Sequence, residues 1–426
     1  MYQHPPTSRE TTRVVLAHRG DALVPHLAAA LDERYASAGE VHTDLTRAGR
    51  LLVAAGTVRP VRRLWAERFF KSNLAVALRS RRADRNVAAI GRPFDAIVQV
   101  HALFELTDPR TSIYVDCTHQ QSIRHWPDWN PLRGRALRVW LARERRQYHA
   151  AAHVFAFSDE ARESLVNDYD VRPERVSVVG AGVNFTDLPS ESHLVHTGHP
   201  AQSRELRTAS QTILFVGNDF ERKGGPELLE AFRLVRERVP AARLQIVGTP
   251  HPIAPQEGVE VFGRVNGREA MSQLYRNAAV FCLPSFFDPY PLVVLEAMAH
   301  GLPVVATPTC GVPEMVLDEG TGLLVEHGPD GVARLADALV RVLVDPPYAA
   351  RLGAAGRRRI EERFLWQHVV DRMAPALEGG PAQRPMLSGQ SGGNTRTAPS
   401  LSATRFGGAP HEPSRITDHS VLTERP

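Results

Sequence analysis

The sequence predicts an α/β protein made of two doubly wound, parallel-sheet domains in tandem. Three observations carry that expectation. Short β-branched runs alternate with helix-patterned stretches. The alternation breaks off at a segment with no period and then starts again. At 426 residues, the chain is also longer than one hydrophobic core usually organises.

In the first half, strands are expected at Val14 to Ala17, Ala96 to Val100, Ser112 to Val115, Val154 to Phe157 and Val176 to Val179. Each is short and apolar, as a strand covered on both faces should be. Ser158 is placed to cap a helix from Asp159 to Tyr169. The stretch Leu188 to Ser210, rich in Ser, His, Thr and Pro, reads as a linker or surface excursion. A first domain is therefore expected at residues 1–187, followed by a linker at 188–210.

Strands are expected again at Ile213 to Val216, Leu244 to Val247, Val259 to Phe262 and Val280 to Leu283, with helices at Pro226 to Val239 and near Glu269 to Asn277. In the first of these helices Leu228, Leu229, Phe232, Val235 and Val239 share one stripe, and Pro226 sits in the first turn, where a missing N–H costs nothing. The second domain is set at 211–379. Residues 380–426 are dominated by Gly, Ser, Pro, Thr and Arg and hold too few large apolar side chains to offset the entropy of ordering, so a disordered tail is expected.

Composition narrows the function classes. Cys117, Cys282 and Cys310 lie far apart without metal-ligand spacing, which points away from a disulfide scaffold or a zinc site and suits a reducing cytosol. No apolar signal segment follows the polar start, and no apolar run approaches the roughly 20 residues that span a bilayer, so a cytoplasmic protein is expected. The net charge of +4 is mild but uneven: Arg59 to Arg85 holds nine Arg or Lys against two acids, interleaved with Trp65, Phe69 and Phe70. That segment suits either a solvated charged face or peripheral contact with anionic lipid or an acidic acceptor. The arginines from Arg133 to Arg146 repeat the pattern, but no helix-turn-helix, RNA-binding aromatic motif or finger spacing accompanies them, so nucleic acid is not an expected partner.

The segment LPSFFDPYPLVVLEAMAHGLPVVA, Leu283 to Ala306, places Glu296 alone among apolar residues after Asp288. A carboxylate in such a helix needs a partner, and the two hydroxyls of a ribose would supply one. Pro289 and Pro291 keep Asp288 outside the helix that begins near Leu292. Asp288 is therefore expected on a mobile loop facing a transferred sugar, and Glu296 within the first turns holding a nucleoside. The helix start between them offers unpaired N–H groups to a phosphate.

This segment resembles the carboxylate pair, seven residues apart, that marks the retaining GT-B glycosyltransferases of family 4, with Asp288 one methylene shorter than the usual Glu and Glu296 in full agreement. FVGNDFERKGGPELLEAF, Phe215 to Phe232, is similar to that family's strand, glycine turn and basic residue around the donor diphosphate. The resemblance implies that Gly217 forms the turn, that Lys223 and Arg222 offset charge on the leaving diphosphate, and that Asn218 stands where the family commonly has Arg. It also implies that Gly263 and Arg264 lie against the base and that Gly311 and Val312 lie beside the phosphates, with Cys310 where a glycine is common. Gly182 is expected near the donor, His119 against the donor sugar and Asp116 at the acceptor. Gly20 stands alone where many members have a glycine pair.

The resemblance covers roughly Ile213 to Met373 and implies two Rossmann-like domains facing across a cleft, with a C-terminal helix returning to the first. It further implies transfer from a nucleotide-sugar, UDP- or GDP-linked, to an acceptor hydroxyl with retention, without a metal or other cofactor. The acceptor stays open among a lipid, a polysaccharide and a small metabolite. A sugar-nucleotide 2-epimerase-like isomerase and a non-catalytic sugar-nucleotide-binding protein share the architecture and also stay open.

Overall fold

The computed structural model describes residues 12–60, 65, 68–130, 132–185, 188–189, 211–249 and 253–379. Most of the expected linker, the expected tail and part of the basic segment Arg59 to Arg85 lie outside the described residues.

The first lobe runs β1 (Arg13–His18), α1 (Val24–Arg34), β2 (Ala36–His42), α2 (Arg47–Thr57), α3 (Asn73–Ala88), β3 (Ala96–Val100), β4 (Thr111–Val115), α4 (His119–His125), α5 (Gly134–Ala150), β5 (Val154–Ala156), α6 (Asp159–Asn167) and β6 (Val176–Val178). The second runs β7 (Thr212–Val216), α7 (Gly225–Arg238), β8 (Arg243–Val247), β9 (Val259–Gly263), α8 (Arg268–Asn277), β10 (Val280–Leu283), α9 (Leu292–Ala299), β11 (Val304–Ala306), α10 (Val312–Met315), β12 (Gly322–Leu324), α11 (Gly331–Val344), α12 (Pro346–Arg363) and α13 (Trp366–Leu377).

Each lobe holds one six-stranded sheet, ordered β2-β1-β3-β4-β5-β6 and β12-β11-β10-β7-β8-β9, and every strand pair is parallel. The second sheet has the strand order of a dinucleotide-binding fold; the first begins its reversal one strand earlier. The chain reverses direction of travel between β1 and β3 in the first sheet and between β7 and β10 in the second. At those two points the loops after neighbouring strands part and leave a crevice.

The central strands are buried on both faces, as their apolar runs predict. Two edge strands behave differently. β2, ASAGEVH, escapes a reading based on apolar runs because it is half covered and carries Gly39, Glu40 and His42. β9, expected as a strand, leaves Glu260, Val261 and Phe262 exposed, because it lies at the edge of its sheet. Ser158 Oγ accepts from Ala161 N at 3.1 Å, capping α6 as expected, but the helix ends at Asn167 rather than Tyr169. In α7 the stripe buries Leu228, Phe232 and Val235. Leu229 is only partly covered, and Val239 lies one residue past the helix end, where it is still buried.

The last helix crosses back. α13 packs on α1, and one hydrophobic core runs from Val14 and Leu27 through Val369 and Met373 to Ile213 and Phe281. Arg34 pairs with Asp371 and, at 3.0 Å, with Glu378, while Arg372 Nε donates to Val179 O at 2.8 Å. Gly182 belongs to this seam: a Cβ there would lie 2.5 Å from the Trp366 ring. It was expected near the donor; what makes the glycine necessary is the packing of Trp366 against the backbone.

Candidate active site

Two loops meet at the crevice of the second sheet, one after β7 and one after β10. Lys223 Nζ lies 2.5 Å from Asp288 Oδ2, and Arg222 Nη1 lies 4.0 Å from the same oxygen. Arg222 also pairs with Asp219 at 3.2 Å, donates to Phe287 O and sits 4.9 Å from the centre of the Trp129 ring. The glycines of the turn make this crossing sterically feasible. A Cβ on Gly217 would run into the Lys223 stem, and Gly224, at φ 75°, brings the backbone against Pro284 O.

Asp288 was expected on a mobile loop; it is instead 8% exposed and held by the lysine. A buried carboxylate is costly to leave unpaired, so the pairing fixes the loop. Two cations and two carboxylates are thus assembled where Pro284 to Pro291 leaves the sheet.

Glu296 lies in the second turn of α9, as its spacing implies, and is partly buried. Burial pushes its carboxyl above the usual range, while a hydrogen bond from Tyr275 Oη, 3.0 Å from Oε2, works in the opposite direction. Tyr275 has no counterpart in the sequence expectations, because it stands twenty-one residues away on α8. Leu292 opens α9 and is partly buried. Gly263 holds φ 58° with open space where a Cβ would stand, and Arg264 and Asn218 are exposed. Gly311 abuts the Tyr290 ring, Val312 is buried at the start of α10, and Cys310 carries φ 49°, the left-handed region that favours glycine.

At the crevice of the first sheet, His101 follows β3 with φ 62°. Its Nδ1 lies 3.1 Å from Asp116 Oδ1, just beyond β4, and its Nε2 lies 3.9 Å from Asp21 Oδ2. Burial alone would lower the His101 pKa, but the two carboxylates, Asp116 foremost, hold it above its ordinary value. Asp116 is held low by the same pair against the opposing effect of burial. Arg19 stands at the end of β1, its Nε buried without a hydrogen-bond partner among the described residues. Asp116 was legible as a polar residue ending a strand. His101 was missed, although it ends an equally apolar strand.

His119, expected against the donor sugar, takes another place. It begins α4, is 5% exposed and lies with its ring 5.3 Å from that of Trp140. Burial, aided by Lys71 and Arg143, pushes its pKa down to about 3, so it is a neutral imidazole in the first lobe's interior.

The lobes touch beside the Lys223–Asp288 cluster. His125 stacks on Phe287 with centroids 5.4 Å apart, Trp129 meets the same ring edge-on at 5.7 Å, and Trp126 stacks on Phe286 at 6.3 Å. The two residues immediately before Asp288 are therefore clamped by the end of α4 and the segment after it. Nearby, Glu314 Oε1 accepts from Asp159 N at 2.7 Å, joining α10 to the first turn of α6.

The comparisons with known proteins agree with this architecture. Residues 210–345 match the model of the family described as Glycosyl transferases group 1. The chain is 30% identical over 279 residues to the alpha-maltose-1-phosphate synthase of Mycolicibacterium smegmatis, covering 59% of this chain and 69% of that protein. It is 32% identical over 249 residues to the D-inositol 3-phosphate glycosyltransferase of Kribbella flavida, covering 53% of this chain and 56% of that one. In fold it is similar to the sucrose-phosphate synthase of Thermosynechococcus elongatus, with TM-score 0.60, 20% identity and coverage of 86% and 98%. It is likewise similar to WaaG, a glycosyltransferase involved in lipopolysaccharide biosynthesis, with TM-score 0.61, 16% identity and coverage of 86% and 100%. Two parallel six-stranded sheets, a helix that returns to the first lobe, and relatives of this kind make the chain a member of the glycosyl transferases group 1 family, a glycosyltransferase of GT-B architecture.

Proposed function

We propose that this glycosyltransferase moves a sugar from a nucleotide-sugar to an acceptor hydroxyl with retention at the anomeric carbon, using fixed cations in place of a metal ion at the leaving diphosphate. The observation that carries the reading is the buried contact of Lys223 with Asp288, with Arg222 alongside, at the strand reversal of the second sheet. Breaking the glycosyl–phosphate bond builds negative charge on the diphosphate. Cations already fixed in a water-poor site stabilise that charge most in the transition state.

In this reading Asp288 takes a hydroxyl of the transferred sugar, and Glu296, steadied by Tyr275, takes the ribose diol. Gly263 and Arg264 meet the base. The first N–H groups of α9, at Leu292, and the turns at Gly217–Asn218 and Gly311–Val312 receive phosphate oxygens. The departing diphosphate accepts the acceptor's proton on the face it leaves, which accounts for retention. UDP and GDP fit this reading equally.

On the acceptor side, Asp116 and His101 present a carboxylate and an imidazole to the crevice, and Arg19 adds a cation. That set suits a hydroxyl beside an anionic group. The two relatives in sequence are named for phosphorylated maltose and phosphorylated inositol, which supports a phosphorylated sugar or polyol. A membrane-associated acceptor is the second reading, favoured by Leu51, Leu52, Val58, Phe70 and Leu74, exposed near the basic residues Arg59 to Arg85. Within that segment Arg79 is fully buried and Lys71 donates to Trp129 O at 2.6 Å, so only part of its charge faces outward. No helix among the described residues is long and apolar enough to cross a membrane.

The test is calorimetry and thermal shift of the purified protein against UDP-, GDP-, ADP- and dTDP-sugars. One nucleotide should stabilise the chain by RT ln(1 + [L]/Kd), roughly 2.7 kcal/mol at a hundredfold excess over Kd. Absence of a shift from every nucleotide refutes the donor assignment. Flotation with anionic vesicles that persists unchanged after charge reversal of Arg81, Arg82 and Arg85 refutes the membrane reading.

A further inference from the structure

At the outer edge of the first sheet, three side chains with metal-binding atoms converge. His18 ends β1, and Glu40 and His42 lie near the end of β2. Their ligand atoms all lie within 4.8 Å of one another; His18 Nε2 is 3.1 Å from Glu40 Oε2, and the two imidazole centroids are 4.3 Å apart at 71°.

This convergence follows from the strand register. β1 and β2 pair Val14 with Ser37 and then Val15 with Gly39, so Ala38 is skipped. The slip of one residue brings His42, rather than Val41, opposite His18, and Glu40 opposite Leu16. Residues two apart on a strand share a face, so Glu40 and His42 project on the same side as His18. A regular ladder would have turned both away.

The three groups differ in freedom. His18 is 1% exposed and its ring is fixed, whereas Glu40 and His42 are exposed. The backbone around them is pinned: Thr43 N and Oγ1 donate to His18 O at 2.9 and 3.1 Å, and Asn86 Nδ2 donates to His42 O at 2.9 Å. Neighbouring ligands of a tetrahedral ion with metal–nitrogen bonds of about 2.0–2.1 Å stand roughly 3.3 Å apart. The His18–Glu40 spacing already fits, and rotation of an exposed His42 side chain covers the remainder.

We propose that His18, Glu40 and His42 form a binding site for a borderline divalent transition-metal ion of the zinc, cobalt or nickel class. Two imidazoles and one carboxylate select such ions over magnesium or calcium, which take all-oxygen sets. Three protein ligands with two of them facing solvent leave the fourth position to water. A bound ion ties edge strand β2 to β1 immediately before the Arg19–Asp21 turn, and so stiffens one wall of the first crevice. The site lies in the first lobe, apart from Lys223 and Asp288, and stands whether or not the donor assignment does.

The experiment is titration of the full chain, stripped with a chelator, with Co²⁺ followed by its visible ligand-field bands and with Zn²⁺ by calorimetry. His42→Ala and Glu40→Gln change exposed side chains and are measured in parallel, with circular dichroism to establish that each is folded. The expected result is one equivalent of Co²⁺ giving tetrahedral bands, with affinity lowered in each variant by at least about tenfold, the order that loss of even a supporting group costs a metal site. Wild-type stoichiometry and affinity retained in both folded variants, or no saturable equivalent in the parent chain, overturns the proposal.

Discussion

Lys223 Nζ and Asp288 Oδ2 stand 2.5 Å apart across the strand reversal of the second sheet, with 10% and 12% of their side chains exposed. Removing one partner of a buried pair leaves an uncompensated charge, typically at a cost of about 3–5 kcal/mol. Lys223→Ala should therefore lower both stability and turnover, the latter by about 10²–10³-fold as when one transition-state donor is lost. The double variant Lys223→Ala/Asp288→Ala should be less unstable than the sum of the single variants, read by urea unfolding. Additive single effects would mean that the two residues do not act as a pair.

Glu296 and Tyr275 divide one task. Tyr275→Phe removes a single hydrogen bond, worth about 1 kcal/mol, and should weaken nucleotide binding modestly by leaving the carboxylate less well oriented. If Glu296 takes the ribose diol as proposed, Glu296→Ala loses charged hydrogen bonds worth about 1.5–3 kcal/mol each and should weaken binding by more than tenfold. Calorimetry with the free nucleoside diphosphate reads both. A larger loss from Tyr275→Phe than from Glu296→Ala would reverse the assignment.

Gly182 is a structural test of the returning helix. A methyl group there meets the Trp366 ring at 2.5 Å, and overpacking of this kind costs typically about 1–3 kcal/mol. Gly182→Ala should lower the denaturation midpoint, and Trp366→Leu in the same chain should recover part of the loss. If Gly182→Ala is neutral in the parent chain, the seam is looser than its geometry implies.

Glu314 gives the pH dependence. Burial, reinforced by Asp159 and Glu160, pushes its carboxyl up to about 8 from an ordinary 4.5, although the Asp159 N–H opposes the shift. Between those values the folded chain keeps a proton that the unfolded chain has released. Stability therefore falls as pH rises through this window, and the loss is complete above about 8. Thermal midpoints of the parent chain and Glu314→Gln should diverge across the same window, the variant being flatter. Parallel curves would mean that Glu314 titrates normally.

Much of the second-lobe site was legible because its chemistry is local. Gly217, Lys223, Asp288, Glu296 and Gly311 lie in short segments whose residue types, prolines and apolar surroundings announce turns and helix starts. The first-lobe crevice was not. His101 gains its meaning from Asp116 and Asp21; the three residues follow three different strands brought together by strand order. His119, expected against the donor sugar, is buried under Trp140 because α5 folds over it.

By itself the sequence determined the two-lobed parallel-sheet architecture, the boundaries of most inner strands and the carboxylate and cation segments of the second lobe. Hydrophobic period and turn chemistry are properties of neighbours in the chain. The tertiary structure alone decided that Asp288 is buried against Lys223, that Tyr275 serves Glu296, that Gly182 yields to Trp366, and that a slip at Ala38 sets His42 opposite His18. Each of these depends on contacts between residues far apart in sequence, and their energies are fixed by register, burial and packing, which no local pattern encodes.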